Sequence, residues 1–309
     1  MCLSGEVTVT QFRNHSDLVK QNTEIGGHYR EKIMPPSFCL GLKGFFAFII
    51  LSSHIYGELY KYNGFSDNFL SKIIGVILQN GAFLSVGIFF FISGFGIISQ
   101  YEAKKNDYIS SYWTKRIVPM ILINIFLVFL YSIFSVMIGK NLSVKLIFQS
   151  MTFGKTIVRN GWYIQTIIIF YILIFFVLTT CKNKRQKLCL LNISTIVYWV
   201  ICALCKLPAT VYECSFCIPF GMYAYYYIEP KLDMSPQKQK KCLFLSTSTF
   251  LAVLCLYYFL NRFVGGVTAV IVKVPLTLLF CVLVMQSSVY FPANVQNIFT
   301  WLGKYSLGI

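Results

Sequence analysis

Lys43 and His54 stand eleven residues apart in an otherwise apolar stretch, and Glu58 follows four residues later. At about 100° per residue, eleven residues bring a helix back to within about 20° of its starting face, while the rise separates them by about 16 Å. The two basic side chains therefore point the same way at two depths. Ionisable residues inside a membrane are costly and by default face an interior or a watery cavity. His54 then reads as a site candidate, against the plainer reading of a histidine near the outer interface that bonds a neighbouring helix or headgroup. Glu58 continues the stripe and is a candidate to orient the imidazole by accepting a hydrogen bond from a ring nitrogen. Its alternative is a solvated position beyond the span. Lys43 either belongs to the same functional stripe or snorkels as an ordinary inner-leaflet anchor.

The elements that must position these residues are membrane spans. Of 309 residues 56% are hydrophobic and only 12% charged, and the mean hydropathy of +0.65 exceeds what a soluble core requires. Against the requirement of about 20 apolar residues per crossing, runs fall near 38–57, 73–99, 117–138, 161–180, 188–205, 212–229, 242–260 and 267–287, and a further run starts near 298 and stops with the chain. The expected fold is an all-α polytopic bundle of about nine to ten spans, the last one truncated. Residues 1–36 are polar, lack a signal-peptide core, and read as a cytoplasmic tail before a membrane domain over 37–309. The shorter segment 142–153 is either a further span or an interfacial helix, which periodicity leaves open.

The formal charge of +16 would suggest nucleic acid in a soluble protein, but the basic residues sit between apolar spans, where topology explains them. With the N-terminus inside and 142–153 interfacial, 17 basic residues fall inside and 8 outside, with Lys273 and Lys304 left within spans. That bias supports an N-in orientation and the interfacial reading. Most of the eleven cysteines lie in or beside apolar runs, where Cys packs as a small hydrophobe. Cys202-x-x-Cys205 and Cys214-x-x-Cys217 imitate a zinc site, but the segment between them is too short and apolar, so no metal is expected. No Ser-His-Asp spacing, phosphate loop or dinucleotide fingerprint is present.

Five segments in order resemble the membrane acyltransferase-3 family. Lys43-x10-His54 within Gly41 to His54 resembles that family's Arg-x10-His first span. Gly87 to Phe95 resembles its apolar run into Ser-Gly-Phe, and Tyr112 to Pro119 its Arg-Ile-x-Pro segment before the third span. Gly161-Trp162-Tyr163-Ile164-Gln165 with Phe170-Tyr171 resembles its Trp-Phe/Tyr segment, and Leu302-Gly303-Lys304-Tyr305-Ser306 its Leu-Gly-x-x-Ser start of the last span. The resemblance covers residues 38–309 and departs in two places. Lys43 replaces the family's Arg and loses the bidentate fork for phosphate, and the chain ends inside the family's final span.

The resemblance implies a bacterial cytoplasmic-membrane enzyme that moves an acyl group, acetyl above all, from acetyl-CoA to a hydroxyl of a surface or envelope glycan. No permanently bound cofactor is expected; the partners are the bilayer, acyl-CoA and the glycan. Lys43, Lys115 and Arg116 become the seat for the donor's phosphates, although Lys115 and Arg116 also fit an ordinary positive-inside loop. His54 and Glu58 become the catalytic candidates, with base and acyl relay both open for His54. Trp162, Tyr163 and Ser93 become the substrate-binding candidates, set against an aromatic belt for the first two and close helix packing around Ser93-Gly94. The competing function is a non-catalytic glycan flippase or transporter. A polymerase fits less well, since the outside loops are short and contain no His.

Overall fold

A computed structural model of the chain describes residues 34–61, 68–158, 160–264, 266–290 and 293–305. The polar leader over 1–33, Arg159 and Ser306 lie outside the described residues. Among the described residues every regular element is helical: α1 (Pro36–Lys61), α2 (Phe69–Lys104), α3 (Asn106–Ser110), α4 (Val118–Met137, entered through a π turn at Trp113–Ile117), α5 (Val144–Met151), α6 (Trp162–Thr180), α7 (Lys184–Leu204), α8 (Cys217–Tyr223), α9 (Pro236–Phe263), α10 (Gly266–Ser287) and α11 (Ala293–Tyr305).

Seven of these are long and apolar enough to cross a membrane: α1, α2, α4, α6, α7, α9 and α10. The run expected near 212–229 is not one straight span. A 3-10 turn at Ala209–Val211 leads into α8, which continues as a π segment (Ala224–Ile228) and a 3-10 turn (Glu229–Lys231). The segment expected at 142–153 is the eight-residue α5, capped by the Ser143 side chain on the amide of Leu146. At 1.5 Å per residue it extends about 12 Å, too short to cross.

α2 is the axis of the bundle. Its 36 residues extend about 54 Å, and 72% of its most apolar window is buried, against 6% for α9. α9 turns Phe244, Leu245 and Phe259 outward, as a helix bathed in lipid should, because hydrocarbon solvates such side chains as well as a core does. α2 and α8 cross closely at two glycines. A Cβ on Gly94 would strike the carbonyl of Ile218, and one on Gly221 would strike the carbonyl of Phe91. Only hydrogen fits at either point, so the Ser93-Gly94 pair sits where small residues let backbones meet.

Candidate active site

His54 lies about two turns before the end of α1 and opens on a cavity of about 800 Å³. The walls come from one end of the bundle: the last turns of α1, α4 and α9, the first halves of α2 and α6, the start of α10, and the segment around Glu213. Apolar residues such as Ile50, Phe83 and Phe89 form part of the lining, and His54, Asn80, Asn160, Tyr258, Glu213 and Lys273 supply polar groups. A mostly apolar cavity with a few convergent polar groups is the usual form of a small-molecule site.

The Asn160 side-chain amide nitrogen lies 2.9 Å from His54 Nε2. An amide nitrogen is only a donor, so Nε2 accepts and the neutral ring carries its proton on Nδ1. Asn160 is itself held by a built loop. Asn124 of α4 donates to the carbonyls of Ser150 (3.2 Å) and Met151 (3.1 Å). Gln165 of α6 donates to the carbonyls of Gln149 (2.7 Å) and Ser150 (3.1 Å) and accepts from the amide of Gly154 (3.3 Å). The amide of Ile157 donates to Ser150 Oγ at 2.8 Å. Buried polar backbone needs such partners, and two span amides supply them to the turn that carries Asn160.

A second polar feature of the wall is an ion pair. Glu213 Oε2 accepts from Lys273 Nζ at 2.9 Å, with the glutamate side chain 5% and the lysine side chain 21% exposed. Lys273 also sits 5.1 Å from the centre of the Phe83 ring. Two residues further along α10, Pro275 lies inside the helix and withholds the amide that would have bonded the carbonyl of Ile271.

At the opposite end of α1, Lys43 lies close enough to Arg116 for their charges to interact. Arg116 lies in the π turn before α4, and its guanidinium faces Tyr108, with Tyr171 and Tyr112 beside it. Burial pushes the Tyr108 phenol above its ordinary pKa, with the Arg116 charge opposing the shift, so Tyr108 stays neutral near pH 7. Tyr112 is fully buried and donates to the carbonyl of Tyr171 at 3.1 Å. Two cations thus lie near each other among tyrosines, an arrangement that an anion between them would relieve.

The sequence candidates thus separate. His54, Trp162 and Tyr163 line the cavity, while Lys43 and Arg116 meet at the other end. Lys115 is exposed and takes no part in that meeting. Glu58 is half-buried one turn beyond His54 and is not in the cavity lining. Ser93 is buried in α2, also away from the lining. Asn160 and Lys273 were not singled out by their sequence context. Lys273 carried one usable signal, a charge inside an apolar run. Among the described residues no group of three His, Cys, Asp or Glu side chains could hold a metal.

An all-helical membrane bundle with a histidine-bearing cavity at one end and a cation pair at the other defines a polytopic protein built around an internal site. Residues 41–309 match the acyltransferase-3 family, described as an acyltransferase domain. The chain belongs to that family and is, in general terms, a membrane acyltransferase. No curated protein and no solved structure matches it.

Proposed function

We propose that the chain transfers an acetyl group from acetyl-CoA to a hydroxyl of an envelope glycan across a bacterial cytoplasmic membrane. The observation that carries this reading is the placement of two different chemistries on one helix. α1 brings His54 to the cavity and Lys43 to Arg116, about 16 Å apart along its axis. In the N-in orientation favoured by the basic residues, the cation pair faces the compartment where acyl-CoA is made, and the cavity faces the glycan. The compound helix 217–231 supplies the return crossing between α7 and α9.

Lys43 and Arg116 hold the donor's phosphates by charge-assisted hydrogen bonds. The thioester reaches toward the cavity, and the acceptor hydroxyl replaces Asn160 as the donor to His54 Nε2. As that oxygen attacks the thioester carbonyl, Nε2 takes its proton. Collapse of the tetrahedral intermediate breaks the carbon–sulfur bond, and the proton passes from His54 to the departing thiolate. Glu58 supports the imidazole from one turn away, while Trp162 and Tyr163 border the acceptor.

The test is transfer of labelled acetyl from acetyl-CoA to membrane glycan, comparing membranes with and without the chain. Label appearing in glycan only with the chain supports the reading. Glycan crossing the membrane with no acetyl-CoA dependence would replace it with a flippase.

A further inference from the structure

The mechanism above leaves the Glu213–Lys273 pair without a task, yet the pair sits in the wall of the cavity that His54 enters. Charged side chains at membrane depth are rare and mark sites by default, because taking both out of water costs more than their attraction returns unless further partners are met. Much of the surrounding structure is devoted to holding Glu213 in place. Trp199 donates to the carbonyl of Tyr212 at 2.7 Å and to Ser215 Oγ at 3.0 Å, and Tyr198 donates to the carbonyl of Val211 at 3.2 Å.

The pair is not closed on itself. An ammonium has three donors, and Lys273 directs one to Glu213 while the Phe83 ring covers another side. A carboxylate has about four acceptor positions, and Lys273 takes one. Lys273 keeps the larger exposure of the two side chains, and both residues line the cavity. A donor and an acceptor are thus fixed 2.9 Å apart in a pair whose two charges cancel.

We propose that Glu213 and Lys273 form a clamp for two adjacent hydroxyls of a polyol acceptor, an inference that rests on the transferase reading. One hydroxyl accepts from Lys273, its neighbour donates to Glu213, and the apolar faces of Trp162 and Phe89 cover the ring carbons. Because the charges cancel, the clamp favours neutral vicinal hydroxyls over an isolated anion or cation. The pair therefore chooses the acceptor, while His54 takes its proton.

The experiment uses the full chain in detergent with labelled acetyl-CoA and two soluble acceptors. Methyl glucoside presents adjacent hydroxyls, and cyclohexanol presents one hydroxyl on a ring of the same size. Removing one charge alone would strand the other and risk misfolding, so the main variant is Glu213→Gln with Lys273→Met, and the second is the exchange Glu213→Lys with Lys273→Glu. The wild type should prefer methyl glucoside by about tenfold or more in kcat/KM, the scale of a charge-assisted hydrogen bond. The neutral double variant should raise the KM for methyl glucoside about tenfold relative to the KM for acetyl-CoA and lose the preference. The exchanged pair should likewise lose it. Wild-type acceptor KM in either variant, or equal rises in donor and acceptor KM, would make the pair a structural staple and overturn the clamp. A wild type that hydrolyses acetyl-CoA but acetylates neither probe overturns the clamp and leaves the transferase reading in place. A wild type that consumes no acetyl-CoA overturns the transferase reading, and the clamp falls with it.

Discussion

The two ends of α1 are built on opposite principles. Around His54 several polar groups are already held by protein partners: Asn160 bonds the imidazole, Asn124 and Gln165 bond the segment before Asn160, and Glu213 bonds Lys273. Around Lys43 the charge that acts on it is a second cation, Arg116, among tyrosines. A preorganised end suits a step whose geometry must be fixed before the reactants arrive. An end where like charges are held together suits a ligand that brings the missing negative charge. In the proposed function, chemistry falls to one end and donor capture to the other.

The strongest way to break this contrast is at His54. His54→Ala should lower acetyl transfer in membranes by about 10² to 10⁴-fold, the usual scale for a general base, with acceptance of the donor retained. The next effect lies at the other end. Lys43→Ala should raise the KM for acetyl-CoA by about 10 to 100-fold, as expected for a hydrogen bond to a charged group, and leave acceptor KM in place. Lys43→Arg should keep donor KM near wild type, since the charge is preserved and a phosphate fork is added. Equal loss for both Lys43 substitutions would contradict a phosphate seat.

A smaller effect sharpens the division within the preorganised end. Asn160→Ala removes one neutral hydrogen bond, worth about 1 kcal/mol, that the acceptor hydroxyl otherwise has to displace, and should lower the acceptor KM by up to about fivefold with kcat and donor KM near wild type. The smallest effect tests the edge of the cation pair. Lys115 is exposed, so Lys115→Ala should change donor KM by less than about twofold, the usual weight of a solvated charge. A Lys115 effect as large as that of Lys43 would extend the seat into the surrounding loop.

The helices were legible where a long apolar run is also one straight helix, as in α1, α4, α6 and α10. The breaks in the run at 212–229 were not visible in its composition, because a buried segment with 3-10 and π turns is as apolar as a straight helix. α5 was legible as a choice between two readings, and its length decides between them. At the site, Lys43 and His54 were visible because both lie on one helix, where spacing fixes direction. Asn160 is 106 residues from His54 and Lys273 is 60 residues from Glu213. Pairings over such distances depend on which spans are neighbours, which no local pattern encodes. Lys115 and Arg116 adjoin in sequence, yet the π turn buries only the second against the tyrosines. Ser93 belongs to a motif whose neighbour Gly94 serves the crossing of α2 with α8.

The division of labour along α1 is tested most directly by the binding of acetyl-CoA to the purified full chain, measured by calorimetric titration for wild type, His54→Ala and Lys43→Ala. The account predicts that His54→Ala binds the donor as wild type does, while Lys43→Ala binds it at least about tenfold more weakly. Donor affinity lost at His54 and kept at Lys43 would contradict it.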